Sequence, residues 1–135
     1  MPNILLADDD DDMVEICSRL LPRRGHTVKV AQNAADAVSL ADSVRPDLIL
    51  MDMRMPVSAT GDVSDRAGLD AVLAIKARPE LAGIPIIALT GHMMTMFRAA
   101  IIDAGCVDML AKPIENFSHL TEAIELALKK SKPPQ

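Results

Sequence analysis

Two stretches of the chain carry apolar residues without polar alternation, and each stops abruptly on carboxylates. Leu48-Ile49-Leu50-Met51 runs into Asp52, and Ile4-Leu5-Leu6-Ala7 runs into Asp8 and Asp9. Unalternated apolar runs of this length predict strands buried on both faces, as in a parallel sheet covered by helices. Ile84 to Leu89 is a third run, nearly all apolar, Val107 to Ala111 gives a short fifth strand, and Thr27 to Ala31 partly alternates as an edge strand should. Between the strands the apolar period changes to three and four. Met13, Ile16, Cys17, Leu20 and Leu21 form one stripe, closed by Pro22 and Gly25. Ala37, Val38, Leu40 and Ala41 form a second, behind the helix cap Asn33. Leu69, Val72, Leu73 and Ile75 belong to a third helix that starts near Gly68 or Leu69 and ends by Pro79. A fourth helix runs from about His92 to Asp103 and stops at Gly105. The last, roughly Phe117 to Lys130, presents Phe117, Leu120, Ile124 and Leu128. Five strands alternating with five helices predict a doubly wound α/β fold, with right-handed crossovers and helices on both faces of a five-stranded parallel sheet.

The bulk properties narrow this further. At 135 residues the chain reads as one domain, 1–135, with no stretch left over for an output module. Phe97 and Phe117 are its only aromatic residues, so Leu, Ile, Val, Ala and Met must fill the core. A formal charge of -5 gives no footprint for nucleic acid or an anionic membrane. No stretch approaches the roughly 20 apolar residues of a membrane span, and no signal-peptide pattern precedes Asp8. Cys17 and Cys106 sit in apolar contexts and read as reduced core thiols, so a cytoplasmic location is expected.

In an open α/β sheet the binding crevice lies at the carboxyl ends of the strands. Two adjacent central strands would therefore bring Asp8, Asp9 and Asp52 into one pocket. Carboxylates so crowded repel one another, and a divalent cation relieves them. With oxygen donors and no histidine or cysteine at ligand spacing, magnesium is the expected ion. Asp10, Asp11 and Asp12 are assigned to the solvated first turn of the helix instead, where negative charge suits the dipole. Asp52 is the candidate nucleophile, since carboxylates form acyl phosphates. Thr90 and Lys112 end the fourth and fifth strands on the same edge, where a hydroxyl and an ammonium can hold phosphoryl oxygens.

Asp8-Asp9, the segment Pro46 to Pro56 around Asp52, Ile86 to Thr90, and Ala111-Lys112-Pro113 together resemble the receiver domain of two-component response regulators. The likeness runs from Asn3 to about Lys130 and is to the single-domain type, as in the chemotaxis response regulator. It implies a flavodoxin-like strand order 2-1-3-4-5 and transfer of a phosphoryl group to Asp52 from a phosphohistidine on a sensor histidine kinase or histidine phosphotransfer protein. It implies magnesium held by Asp9, Asp52 and the backbone carbonyl of Arg54, with Asp8 acting through water. Thr90 would follow the phosphoryl group on activation and Lys112 would pair with it, beside a cis Lys112-Pro113 bond. A monomer or weak dimer is expected, signalling to an unknown downstream protein. Self-phosphotransfer and slow autodephosphorylation are expected rather than a dedicated enzymatic activity.

Two departures stand out. The aromatic switch position on the fifth strand is Met109, and it is assigned with Met94 and Phe97 to a partner-facing surface rich in adaptable methionine. The segment 57–67 is far longer than the few residues usual after the proline and reads as an unpatterned loop, either a tolerated surface insertion or, since it leaves the strand end that carries Asp52, a gating or partner element. Three alternatives fit less well. A haloacid dehalogenase-type phosphatase would need an aspartate where Arg54 stands. A nucleotide- or flavin-binding module would need a Gly-rich phosphate loop, and none occurs. A degenerate, unphosphorylated scaffold would not need the intact set Asp8, Asp9, Asp52, Thr90 and Lys112.

Overall fold

In the computed structural model, which describes residues 2–91 and 97–131, the apolar runs form one parallel sheet. Its strands are β1 (Asn3–Ala7), β2 (Thr27–Ala31), β3 (Leu48–Asp52), β6 (Ile86–Thr90) and β7 (Asp108–Ala111), ordered β2-β1-β3-β6-β7. Counted over the sheet strands alone, this is the expected order 2-1-3-4-5. The register pairs Ala7 with Met51 and Asp52 with Leu89, so the carboxyl ends of β1, β3 and β6 lie level. All five residues of β3 and of β6 are buried, as their lack of alternation requires.

Helices α1 (Asp11–Leu20) and α5 (Phe117–Ser131) cover one face. Met13, Cys17 and Leu21 pack there with Ile4, Leu6, Leu50, Leu120 and Ile124. The α1 stripe is turned slightly from expectation: Val14 packs against this core, while Ile16 and Leu20 stay half-buried. Helices α2 (Ala34–Val44) and α3 (Ala67–Lys76) belong to the other face, whose core includes Leu5, Ile49, Met51, Met53 and Val72. Their start and stop signals are local. Asp10 caps α1 by accepting from the Asp12 amide, and Asn33 caps α2 by accepting from Asp36 at 2.8 Å. Lys76 ends α3 and donates to the carbonyls of Ala82 (2.9 Å) and Ile84 (3.1 Å), fastening the helix to the loop that leads into β6.

Within α3, Leu69, Ala71, Val72 and Ile75 pack inward, whereas Leu73 is 47% exposed. The helix has enough small apolar residues for its buried face to be drawn in more than one register. Segment 57–67 is not an unpatterned loop: β4 (Met55–Pro56) pairs antiparallel with β5 (Val63–Ser64), and α3 already begins at Ala67. The described part of the fourth helix, α4, is Arg98–Asp103; the expected start at His92 and the candidate Met94 lie outside the described residues.

Candidate functional site

The carboxyl edge of the sheet gathers its charged residues because the parallel register brings the ends of β1, β3, β6 and β7 level. Asp8 follows β1, and its amide still donates to the Ala31 carbonyl of β2 at 2.9 Å. Its side chain is fully buried and accepts from the Asp10 amide at 2.9 Å, which fixes the carboxylate beneath the first turn of α1. Asp52 is the last residue of β3 and is 5% exposed. Asp9 is exposed at the mouth. One carboxylate oxygen from each of Asp8, Asp9 and Asp52 lies within 4.8 Å of the other two.

Lys112 enters this pocket from the far side, directly after β7. Its Nζ is 2.9 Å from Asp8 Oδ2, 3.1 Å from Asp8 Oδ1 and 3.3 Å from Asp52 Oδ2. The lysine precedes a cis peptide to Pro113, as the resemblance implies. Its backbone amide donates to the Thr90 carbonyl at 2.6 Å, so the ends of β6 and β7 are tied together at the site. Thr90 is buried at the end of β6, with Oγ1 3.5 Å from the Leu110 carbonyl.

The electrostatics follow from this crowding. Burial, then the charge and hydrogen bond of Asp8, push the Asp52 carboxyl up to about 7, with Lys112 pulling in the other direction. Burial opposes the charge on Lys112, yet the hydrogen bond to Asp8 and the charges of Asp52 and Asp8 hold its pKa above the ordinary lysine value. Cys17 lies beneath, and burial followed by the charge of Asp8 pushes its thiol up to about 12, which leaves it a neutral packing group.

Arg54 sits differently from the other candidates. Its amide is 3.4 Å from Asp52 Oδ1, but its guanidinium turns outward and pairs with Asp65 at 2.9 Å. Phe97 and Met109 are partly buried and pack against the same core, on the α2–α3 side of the sheet. Two residues near the site escaped the sequence reading. Asp10 reaches to 3.9 Å from Lys112 as well as capping α1. Its place within an acidic run was visible, but its nearness to a residue from the far end of the chain was not. Asp65 had no signal, because the hairpin that places it was not recognised.

A buried pair of carboxylates, a third at the mouth and one ammonium among them make an oxygen-donor pocket suited to a hard divalent cation and a transferable anion. That chemistry, on an open doubly wound sheet, defines the class. The sequence matches the response regulator receiver domain over residues 4–125. The chain therefore belongs to the receiver-domain family of two-component response regulators. Among curated proteins it is 34% identical to the transcription factor SKN7 of Saccharomyces cerevisiae over 112 residues, 82% of this chain but 16% of that one. It is 30% identical to the polar-differentiation response regulator DivK of Brucella anthropi, over 83% of this chain and 85% of that one. The chain thus spans a small part of some relatives and most of others. Among solved structures, the receiver domain of sensor histidine kinase PA1611 from Pseudomonas aeruginosa superposes with a TM-score of 0.79 at 29% identity, covering 95% of this chain and 98% of that one. That structure holds a magnesium ion coordinated in its active-site cleft. No helix among the described residues is long and apolar enough to cross a membrane.

Proposed function

We propose that Asp52 accepts a phosphoryl group from the phosphohistidine of a sensor histidine kinase or histidine phosphotransfer protein, in a magnesium-dependent reaction. On this reading residues 1–135 act as a cytoplasmic receiver, a monomer or weak dimer, that signals by protein contacts. One observation carries it. Lys112 Nζ stands 3.3 Å from Asp52 and 2.9 Å from Asp8, so the pocket holds a nucleophile and a cation ready to follow the incoming charge.

The step is a displacement at phosphorus: an Asp52 oxygen forms the new bond as the phosphorus–nitrogen bond of the donor breaks, and the imidazole leaves with a proton. Asp52 attacks as the carboxylate, so the pull of Lys112 against burial sets how much of it is available. Once the phosphoryl group is in place, Lys112 transfers its hydrogen bond from Asp52 to a phosphoryl oxygen, and the Thr90 hydroxyl turns from the Leu110 carbonyl to another. Asp9, Asp52 and the Arg54 carbonyl would hold the magnesium, with Asp8 acting through water. When bound, the ion neutralises charge on the phosphoryl oxygens.

Incubation of the full chain with a small phosphodonor and magnesium should add one phosphoryl mass to the wild type and none to Asp52→Asn, read by intact-mass spectrometry. Equal labelling of both would overturn the assignment. For the metal, Asp9→Ala should weaken magnesium binding and phosphorylation together, whereas Asp11→Ala loses only its bond from Gln32 Nε2 and some support for the first turn of α1. Calorimetric titration that found equal losses in the two variants would mean the acidic pocket is misassigned. On the partner-facing surface, Met109 fits either packing without sharp preference, so Met109 and Phe97 should switch weakly when Thr90 moves. Methyl NMR showing large shifts at Met109 on phosphorylation would contradict this.

A further inference from the structure

An ion pair ties the far end of the β4–β5 hairpin to Arg54, beside the site. Arg54 Nε meets Asp65 Oδ1 at 2.9 Å, with side chains 67% and 58% exposed. Exposed pairs of this kind contribute little to stability. Yet Arg54 is one of the residues nearest the acceptor, with its amide 3.4 Å from Asp52 Oδ1. Its long side chain starts at the rim of the acidic pocket and is drawn away from it by Asp65.

Met55, fully buried, anchors the near strand, and the Val57 carbonyl accepts from the Ala35 amide in the first turn of α2 at 3.0 Å. Beyond its pairing with Met55 and Pro56, the far strand is flanked by the Arg54–Asp65 contact and by the Arg66 amide, which donates to Ser64 Oγ at 3.1 Å. A cleft of about 500 Å³ lined by Gln32, Asn33, Asp36, Pro56, Ser58 and Ala59 leaves the hairpin room on its α2 side. Asp65 also precedes Arg66, the N-cap of α3, which makes no side-chain cap bond. A carboxylate released from Arg54 therefore lies beside the positive end of the α3 dipole.

We propose that Arg54 is an additional phosphoryl-binding side chain, held in reserve by Asp65 of the hairpin. Resting on the assignment of Asp52 as phosphoacceptor, this adds a change of partner. A phosphoryl group brings more charge and more acceptor oxygens than a carboxylate, and guanidinium binds it with directed hydrogen bonds. The guanidinium swings from Asp65 to the phosphoryl group, Asp65 turns toward the start of α3, and the hairpin loosens. The segment 55–65 thereby becomes a phosphorylation-sensitive surface on the α2–α3 side, separate from the Met109 face.

The test is NMR of the full chain with beryllofluoride and magnesium as the phosphoryl mimic. In the wild type, the Arg54 Nε–H resonance should shift, and amide exchange at Val57, which donates to the Asp62 carbonyl at 3.0 Å, should quicken several-fold. In Arg54→Ala, which keeps the backbone carbonyl, Thr90 and Lys112 should still respond while the hairpin amides do not. In Asp65→Asn the hairpin should start in its loosened state and change little. An unmoved Arg54 Nε–H in the wild type, or a hairpin response undiminished in Arg54→Ala, would overturn the proposal while leaving Asp52 as the acceptor. No response anywhere in the wild type would overturn both readings.

Discussion

Gly68→Ala should destabilise the protein by about 3 kcal/mol, near the upper end of what overpacking costs. Gly68 lies in the first turn of α3, where its amide donates to the Met53 carbonyl at 2.9 Å. A Cβ there would overlap the Asp52 carbonyl oxygen and lie 2.6 Å from Met53 Cα. Both are backbone atoms, so no side chain can turn aside to make room. The strain can be relieved only by moving α3 away or by shifting the segment 52–54 that carries the acceptor. Either displaces Asp52 and Arg54 relative to Lys112, so labelling by a small phosphodonor should fall by about tenfold to a hundredfold. Gly83→Ala is the control: an added Cβ there meets nothing within 4 Å, and its effect should stay within about 0.5 kcal/mol. Urea unfolding of both variants decides the matter. Similar small losses would show that the α3–β3 approach is softer than its geometry.

That glycine also shows what could be seen before the structure and what could not. The sequence places it near a helix start, but its necessity comes from contact with β3, a property of packing. The sheet was legible because Leu48 to Met51 and Ile86 to Leu89 lack alternation over lengths suited to strands, and all of these residues are buried. The pocket was legible for the same reason: Asp8, Asp52, Thr90 and Lys112 mark the places where apolar runs stop, and the parallel register brings those ends level. The hairpin was not legible. Its strands are two residues each, too short for a period of two to show against surrounding Ser, Asp, Gly and Thr. With the hairpin unseen, the turn of Arg54 toward Asp65 could not be anticipated. The inward side of α3 was not legible, because alanine fills a buried face as well as leucine does when the helix lies close to the sheet.

Lys112→Met should be the most pH-dependent substitution in the protein. It keeps most of the aliphatic stem and removes the only ammonium that the described residues place against Asp8 and Asp52. With Asp8 fully buried and Asp52 nearly so, two carboxylates then face each other without a counter-charge. Removing one partner of a buried pair costs about 3–5 kcal/mol, and since Lys112 is partly exposed a loss of about 3 kcal/mol is expected at pH 8 without metal. The sign of the pH effect follows from Asp52. Its folded pKa is already raised to about 7, and loss of Lys112 removes the group that opposes the rise. The folded state then binds a proton that the unfolded chain, with an ordinary aspartate, releases above about pH 4. Stability of Lys112→Met should accordingly climb as pH falls from 8 toward 5, as Asp52 becomes neutral and the repulsion from Asp8 disappears. Adding Asp52→Asn should recover most of the loss at pH 8 and flatten the dependence, because a single buried carboxylate then remains. Urea unfolding at pH 5 and pH 8 in the presence of a chelator measures all of this. A loss equal at both pH values, or undiminished in the double variant, would show that Lys112 supports the fold through packing rather than by balancing the two carboxylates.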